Sequence, residues 1–309
     1  MDNAIRHLDR STHREVAVVG STTVDRVLGT TLPATPRVGG VTVYAGLTYR
    51  HLGLTAHIVS NWALVDTAIH DFLSGAGLIL HIGASARTTR FVHHVEQDRR
   101  RQEMTSFAAT IGADRLAAIL PRLDWIHLGP LHPLDIDPKL LAVLPDRDPP
   151  VLLDVQGYTR KRDPDSAQIW ADISGDLPAA LTAASLLKAN QEEMDLILAA
   201  WQTGMPELMA RFDIEEAVVT RGSAGGTVWS LKAPPVEYSS PPVHGWIDPT
   251  GAGDVFLAAY AACRLLEQDG IQSAAAKAAE LAARQVSGRF IDTAIEDLAK
   301  TAGDDCRES

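Results

Sequence analysis

Residues 246–256 read WIDPTGAGDVF, which sets two aspartates, Asp248 and Asp254, on either side of a Thr-Gly-Ala-Gly run. From Ala252 onward the apolar positions Ala252, Val255, Phe256, Ala259, Cys263 and Leu266 recur at helical spacing, so the Gly-Ala-Gly run falls on the first turn of a helix. Backbone N–H groups in that turn have no partner inside the helix. Residues as small as Gly251, Ala252 and Gly253 let an anion approach those donors, and the helix dipole adds partial positive charge at the same place. The stretch therefore predicts an anion hole. A carboxylate beside a bound anion costs repulsion and needs a task there. Taking a hydroxyl proton while the helix terminus stabilises a transferring phosphoryl group is such a task for Asp254. Without that chemistry the same residues are a glycine-rich helix start whose acid favours the dipole.

Working outward, short β-branched runs alternate with longer helical patterns. Strands read at residues 16–20, 57–61, 125–129, 151–157, 185–190 and 216–222, most of them apolar on both faces, and helices at 43–51, 138–144, 192–201 and 205–212. That order predicts an α/β fold with a mainly parallel central sheet flanked by helices. Ligands of such sheets bind beyond the carboxyl ends of the strands. Residues 24–40 and 88–107 break the rhythm with extended, turn-punctuated runs, and predict a small β-flap acting as a lid, with an ordinary peripheral hairpin as the alternative. A single domain is expected over residues 15–300, after a polar extension at 1–14 and before a polar tail at 301–309.

Composition narrows the partners. A net charge of −11 with no sustained basic cluster argues against nucleic acid. The first residues lack the apolar core of a signal peptide, and no apolar run approaches the roughly 18 residues that suggest a membrane span. Two cysteines, Cys263 and Cys306, make no disulfide framework. A cytoplasmic protein without membrane or nucleic-acid partners is expected. His93 with His94, and His127 with His132, lack the spacing of a zinc site. No Gly-Lys-Ser/Thr ending marks a Walker loop, and VVGSTTVD at residues 18–25 lacks the later glycines of a dinucleotide fingerprint.

The string DPTGAGDVF resembles the C-terminal signature of the ribokinase-like (PfkB) carbohydrate kinase family. Other motifs follow in the family's order: Asp25 after the first strand, the pair Gly39 and Gly40 before a helix ending at Gly53, NQEE at residues 190–193 and TRGSAGG at 220–226. The similarity runs from about residue 16 to about residue 287. The resemblance implies that Asp254 is the base and that Gly251, Ala252 and Gly253 form the anion hole. It implies that Asn190 and Glu193 organise Mg²⁺ and phosphates, largely through water, although NQEE alone reads as a capped, acidic helix start. Thr220, Gly222 and Gly225 are implied to contact ATP, and Asp248 and Thr250 to bind a monovalent cation such as K⁺.

On the acceptor side, Asp25 is expected to accept hydrogen bonds from neighbouring hydroxyls, Gly39 and Gly40 to let backbone approach the substrate, and Arg90 and Gln156 to lie nearby. Tyr44 departs from the pattern, because many sugar kinases have an asparagine after the glycine pair. The strings RTTRFVHH, LLDVQGYTR and LLKANQEEMDL look more like inositol and nucleoside kinases. The resemblance thus implies an ATP- and Mg²⁺-dependent kinase acting on a hydroxyl of a polyol, sugar or cyclitol, with myo-inositol favoured. A nucleoside kinase of the same family and a non-catalytic sugar-binding regulator stand as alternatives. The lid offers a face through which a homodimer could form.

Overall fold

The strand runs of the chain assemble chiefly into one twisted sheet, and its alternation explains why they are apolar throughout. The computed structural model describes residues 14–28, 36–96, 99–144, 148–244, 248–266 and 268–294. The expected polar extension, save Arg14, and the expected tail at 301–309 lie outside the described residues, as do residues 29–35 of the first lid segment.

In chain order the elements that build the site are β1 (Glu15–Gly20), β2 (Thr23–Leu28), β3 (Arg37–Gly39), α1 (Val41–His51), β4 (Thr55–Ala63), α2 (Thr67–Gly75), β5 (Ile79–Ser85), β6 (Thr89–Glu96) and β7 (Arg99–Ser106). They are followed by α3 (Asp114–Ile119), β8 (Trp125–Gly129), α4 (Pro138–Leu141), β9 (Val151–Asp154), β10 (Arg160–Arg162), β11 (Ile169–Ala171) and α5 (Leu177–Ala183). The last are β12 (Leu186–Asn190), α6 (Gln191–Trp201), α7 (Met205–Phe212), β13 (Glu216–Thr220), β14 (Gly226–Ser230), β15 (Val236–Tyr238), α8 (Ala252–Leu265) and α9 (Ile271–Val286).

Nine strands form the main sheet in the order β15-β14-β13-β12-β9-β8-β1-β4-β5. From β13 to β5 all neighbours run parallel, while β14 and β15 add an antiparallel edge. Side chains alternate between two cores: Val16, Val18, Ile58 and Val218 join the one that includes α1, α8 and α9, and Ala17, Val19, Val59 and Val219 join the other. Each core strand is therefore buried on both faces, as a helix-covered parallel sheet requires. Chain order reverses direction beside β1, which has β4 on one side and β8 on the other. A crevice opens there, beyond the carboxyl ends.

Segments 24–40 and 88–107 contribute to a separate four-stranded sheet, the lid sheet, of order β3-β2-β6-β7, in which β2 and β6 pair in parallel and both outer pairs are antiparallel. Only Ser21 and Thr22 separate β1 from β2. Both are buried, Ser21 bonded to Asp135 and Thr22 to Ser60 and Thr42, so the passage from main sheet to lid is pinned by satisfied polar groups rather than left loose.

Several boundaries differ from the sequence reading. The strand expected over 151–157 stops at Asp154, whose side chain accepts the Gln156 N–H at 3.0 Å and folds the chain into a tight turn. The helix expected over 138–144 ends at Leu141, and that over 43–51 begins two residues earlier, at Val41.

Candidate active site

A cleft of about 640 Å³, mouth included, lies between the lid and the carboxyl ends of the central strands. Its floor holds Gly251, Gly253 and Asp254. As the sequence predicts, α8 starts at Ala252, with Gly251 as its N-cap in a left-handed conformation at φ +75°. A Cβ at Gly251 would lie 2.2 Å from the Tyr44 ring, and one at Gly253 would lie 2.9 Å from Lys188 Nζ. The small residues therefore serve two ends at once: they open the N–H groups of the helix terminus and admit an aromatic ring and a cation against the turn.

The cation is the element that sequence reading missed. Lys188 lies within the buried strand β12, 5 % exposed, and its Nζ donates to Asp154 Oδ2 at 2.6 Å. Burial works against its charge, but the carboxylates of Asp154, Glu193 and Asp254 outweigh it and hold the ammonium pKa above its ordinary value. Isolated charges are not buried without partners of this kind. The signal was legible as a lysine in the middle of SLLKAN and an aspartate closing VLLD. What could not be read was that strands 34 positions apart would place them in contact.

Asp254 sits in the first turn of α8, partly exposed to the cleft and otherwise surrounded by protein. Burial, followed by the repulsion of Asp154, pushes its pKa from the ordinary 3.8 up to about 7, while Lys188 and Arg160 oppose the rise. A carboxyl poised near neutrality can accept a proton and release it again.

Asp25 projects from β2 into the opposite wall. It is 7 % exposed, its Oδ1 has no hydrogen-bond partner among the described residues, and the same holds for Oγ1 of Thr23, fully buried two residues before it. Gly39 makes room for this carboxylate, since a Cβ there would fall 2.2 Å from Asp25 Oδ2. Gly40, at φ +90°, turns the chain into α1 where a Cβ would strike the Ser21 carbonyl. Gln156 also lines the cleft.

Other residues singled out in the sequence lie elsewhere. Asn190 and Glu193 form a capping box on α6, with Glu193 N–H donating to Asn190 Oδ1 at 2.8 Å and Asn190 N–H to Glu193 Oε2 at 2.9 Å. Glu193 belongs to the charged floor nonetheless: burial raises its pKa, Lys188 opposes and Asp154 adds to the rise. Thr220 is level with Asn190 across the β12–β13 pairing, and Gly222 and Gly225 shape the turn that follows, so these groups share the carboxyl edge of the sheet. Arg90 does not line the cleft. It alternates with Phe91 and His93, which do, and its guanidinium meets Asp66 at 3.3 Å.

Asp248 Oδ2 is salt-bridged to Arg37 Nη1 at 3.0 Å, and its Oδ1 accepts the Thr250 N–H at 3.0 Å. The Thr250 carbonyl accepts from the buried Gln285 amide at 3.5 Å. A guanidinium and an amide thus contact the oxygens of Asp248 and Thr250 to which the resemblance assigns a monovalent cation. Among the described residues no helix is long and apolar enough to cross a membrane.

Residues 80–293 match the model of the pfkB family carbohydrate kinases; the chain belongs to that family. No curated protein matches it in sequence. Solved structures share the fold: a pyrophosphate-dependent kinase in the ribokinase family complexed with a pyrophosphate analog and myo-inositol is 19 % identical, with a TM-score of 0.74 over 92 % of this chain and 99 % of that one. A nucleoside kinase of Methanocaldococcus jannaschii is 15 % identical, with a TM-score of 0.68 over 93 % and 97 %. The ribokinase of Arabidopsis thaliana, complexed with ribose and ATP, is 18 % identical, with a TM-score of 0.66 over 89 % and 93 %.

Proposed function

We propose that this chain transfers the terminal phosphoryl group of ATP to a hydroxyl of a small polyol, sugar or cyclitol, with myo-inositol the favoured acceptor. The observation that carries the reading is Asp254, a carboxyl with a pKa near 7 at the glycine-lined start of α8, across one cleft from the buried Asp25 carboxylate. Asp25 accepts hydrogen bonds from the acceptor and turns a hydroxyl toward the floor. Asp254 takes that hydroxyl's proton as its oxygen attacks the terminal phosphorus. The new O–P bond forms, the bond to the ADP oxygen breaks, and the proton passes to solvent once the product leaves. The N–H groups of the first turn, with Lys188 and Arg160, meet the charge that builds on the transferring oxygens. The lid over the cleft excludes water, which would otherwise compete as the acceptor.

Asn190 and Glu193 offer oxygen donors beside this floor, which suits a hard cation that keeps part of its water shell. A Mg²⁺ ion held beside Asn190 and Glu193 would supply charge neutralisation on the donor phosphates.

The two cations lining the floor, Lys188 and Arg160, also favour a second reading of the donor, inorganic pyrophosphate, which needs charge but no base-binding surface. The structural likeness to a pyrophosphate-dependent kinase supports keeping it. The deciding experiment follows phosphorylated product, with either ATP or pyrophosphate and Mg²⁺, over myo-inositol, scyllo-inositol, ribose, fructose, adenosine and cytidine. Turnover of a cyclitol or sugar with ATP is expected. Turnover of a nucleoside alone would move the chain to the nucleoside kinases, pyrophosphate use without ATP use would replace the donor, and ligand binding without turnover would leave a regulator.

A further inference from the structure

The acceptor wall of the cleft holds a second polar group that faces Asp25. His93 on β6 and Gln102 on β7 are directly opposed in the lid's antiparallel pairing, and both line the cleft. Gln102 Nε2 lies 3.2 Å from His93 Nδ1. An amide nitrogen only donates, so Nδ1 accepts and the ring proton resides on Nε2. Phe91 stacks on the imidazole at 6.0 Å between centroids and 12° between planes, which fixes the ring's plane. The Nε2 edge then points to Asp25 Oδ2 across 3.9 Å. That gap is too long for a hydrogen bond, yet one hydroxyl oxygen can lie within about 2.8 Å of both atoms. Around the same point, Asp25 Oδ1 and Thr23 Oγ1 are buried without a hydrogen-bond partner among the described residues, and a group left so is expected to meet its bonds in a ligand.

We propose that His93, held by Gln102 as the Nε2–H tautomer, donates to an acceptor hydroxyl that in turn donates its hydrogen bond to Asp25, so that this point of the site selects a hydroxyl over an ammonium or a bare acceptor. This rests on the reading of the cleft as an acceptor site and adds the residue that distinguishes a hydroxyl from a bare acceptor or a bare donor. A carboxylate alone would bind any donor, ammonium groups included. With an N–H opposite it, the shared atom must both give and take a hydrogen bond. Gln102 does not reach the reacting atoms; it is a positioning residue that sets which ring nitrogen carries the proton.

The test has two arms. In the first, long-range ¹H–¹⁵N spectra of the ring are compared in the wild type and in Gln102→Glu, whose carboxylate accepts and so draws the proton to Nδ1. Nε2–H is expected in the wild type and Nδ1–H in the variant; Nδ1–H in the wild type overturns the proposal. In the second, initial rates are measured on the acceptor panel with Mg²⁺ and ATP or pyrophosphate, whichever serves as donor. His93→Ala and Gln102→Glu are expected to raise the acceptor KM about tenfold, as the loss of a hydrogen bond would, with the KM for the donor unchanged. His93→Gln, which keeps a donor near the Nε2 position, is expected to recover most of the loss. An acceptor KM unmoved by His93→Ala in an otherwise active enzyme refutes the role of His93 alone. Failure of the wild type to phosphorylate any panel member with either donor refutes the acceptor reading itself, and this proposal with it.

Discussion

Asp254 carries a cost that its role explains. Its pKa of about 7 in the folded protein, against the ordinary 3.8, means that the native state binds this proton more tightly than the unfolded chain does. Stability therefore falls as pH rises from about 4 to about 7 and stays lowered above that, because at higher pH the native state must hold a partly buried charge. Asp254→Asn removes the charge. It should raise unfolding stability at pH 8 by about 1–3 kcal/mol, a figure discounted for the carboxyl's partial exposure, and change it little near pH 4; urea unfolding at the two pH values reads the difference. Lys188 is the converse case. Lys188→Met leaves Asp154 as an uncompensated buried charge, and a loss of about 3–5 kcal/mol is expected, with Lys188→Met/Asp154→Leu losing less. Equal stabilities of the single and double variants would show that the pair is not coupled. Asp254 was legible because its meaning is local, set by helical spacing and small neighbours. The Lys188–Asp154 pair was not, because it is made by the order of strands across the sheet.

At the scale of elements, the start of α8 depends on Gly251. A side chain there would have to take up the left-handed φ of +75° and displace the Tyr44 ring. Gly251→Ala should therefore cost about 1–3 kcal/mol for the backbone alone and more with the clash, and should raise the KM for the phosphoryl donor, measured by denaturation and initial rates. The Tyr44 that departs from the sugar-kinase pattern is thus a packing partner of the glycine turn that opens α8. The loop before α8 leads to a second expectation. Since Arg37 already neutralises Asp248, turnover should be the same in potassium, sodium or choline chloride at equal ionic strength; activity lost in choline and restored by potassium would contradict this. Asp25 and the glycine pair were legible as a motif. The facing of His93 and Gln102 was not, since it depends on the register of a hairpin, as does the turning of Arg90 toward Asp66.

Across the whole molecule, the two sheets divide the work. The main sheet presents Lys188, Asp154 and the turn at Thr220 along its carboxyl edge, and the lid presents Thr23, Asp25 and His93 from above. The alternation of strand and helix made the main sheet legible, because burial on both faces leaves an uninterrupted apolar run. The lid sheet was legible only as an interruption of that rhythm; its parallel strand pairing joins residues 66 positions apart, as in Thr23 with Thr89, and has no local signature. Asp254 lies where the two layers meet, and the central claim is that it is the base for transfer between them. The most direct measurement is the pH dependence of kcat/KM for phosphoryl transfer to the acceptor found by screening, in the wild type and in Asp254→Asn. The account predicts that wild-type kcat/KM falls below an apparent pKa of about 7, as protonation removes the base. It also predicts that Asp254→Asn loses at least about 10²-fold in kcat and that this acid limb disappears. Near-normal turnover by Asp254→Asn, with the acid limb intact, would contradict it.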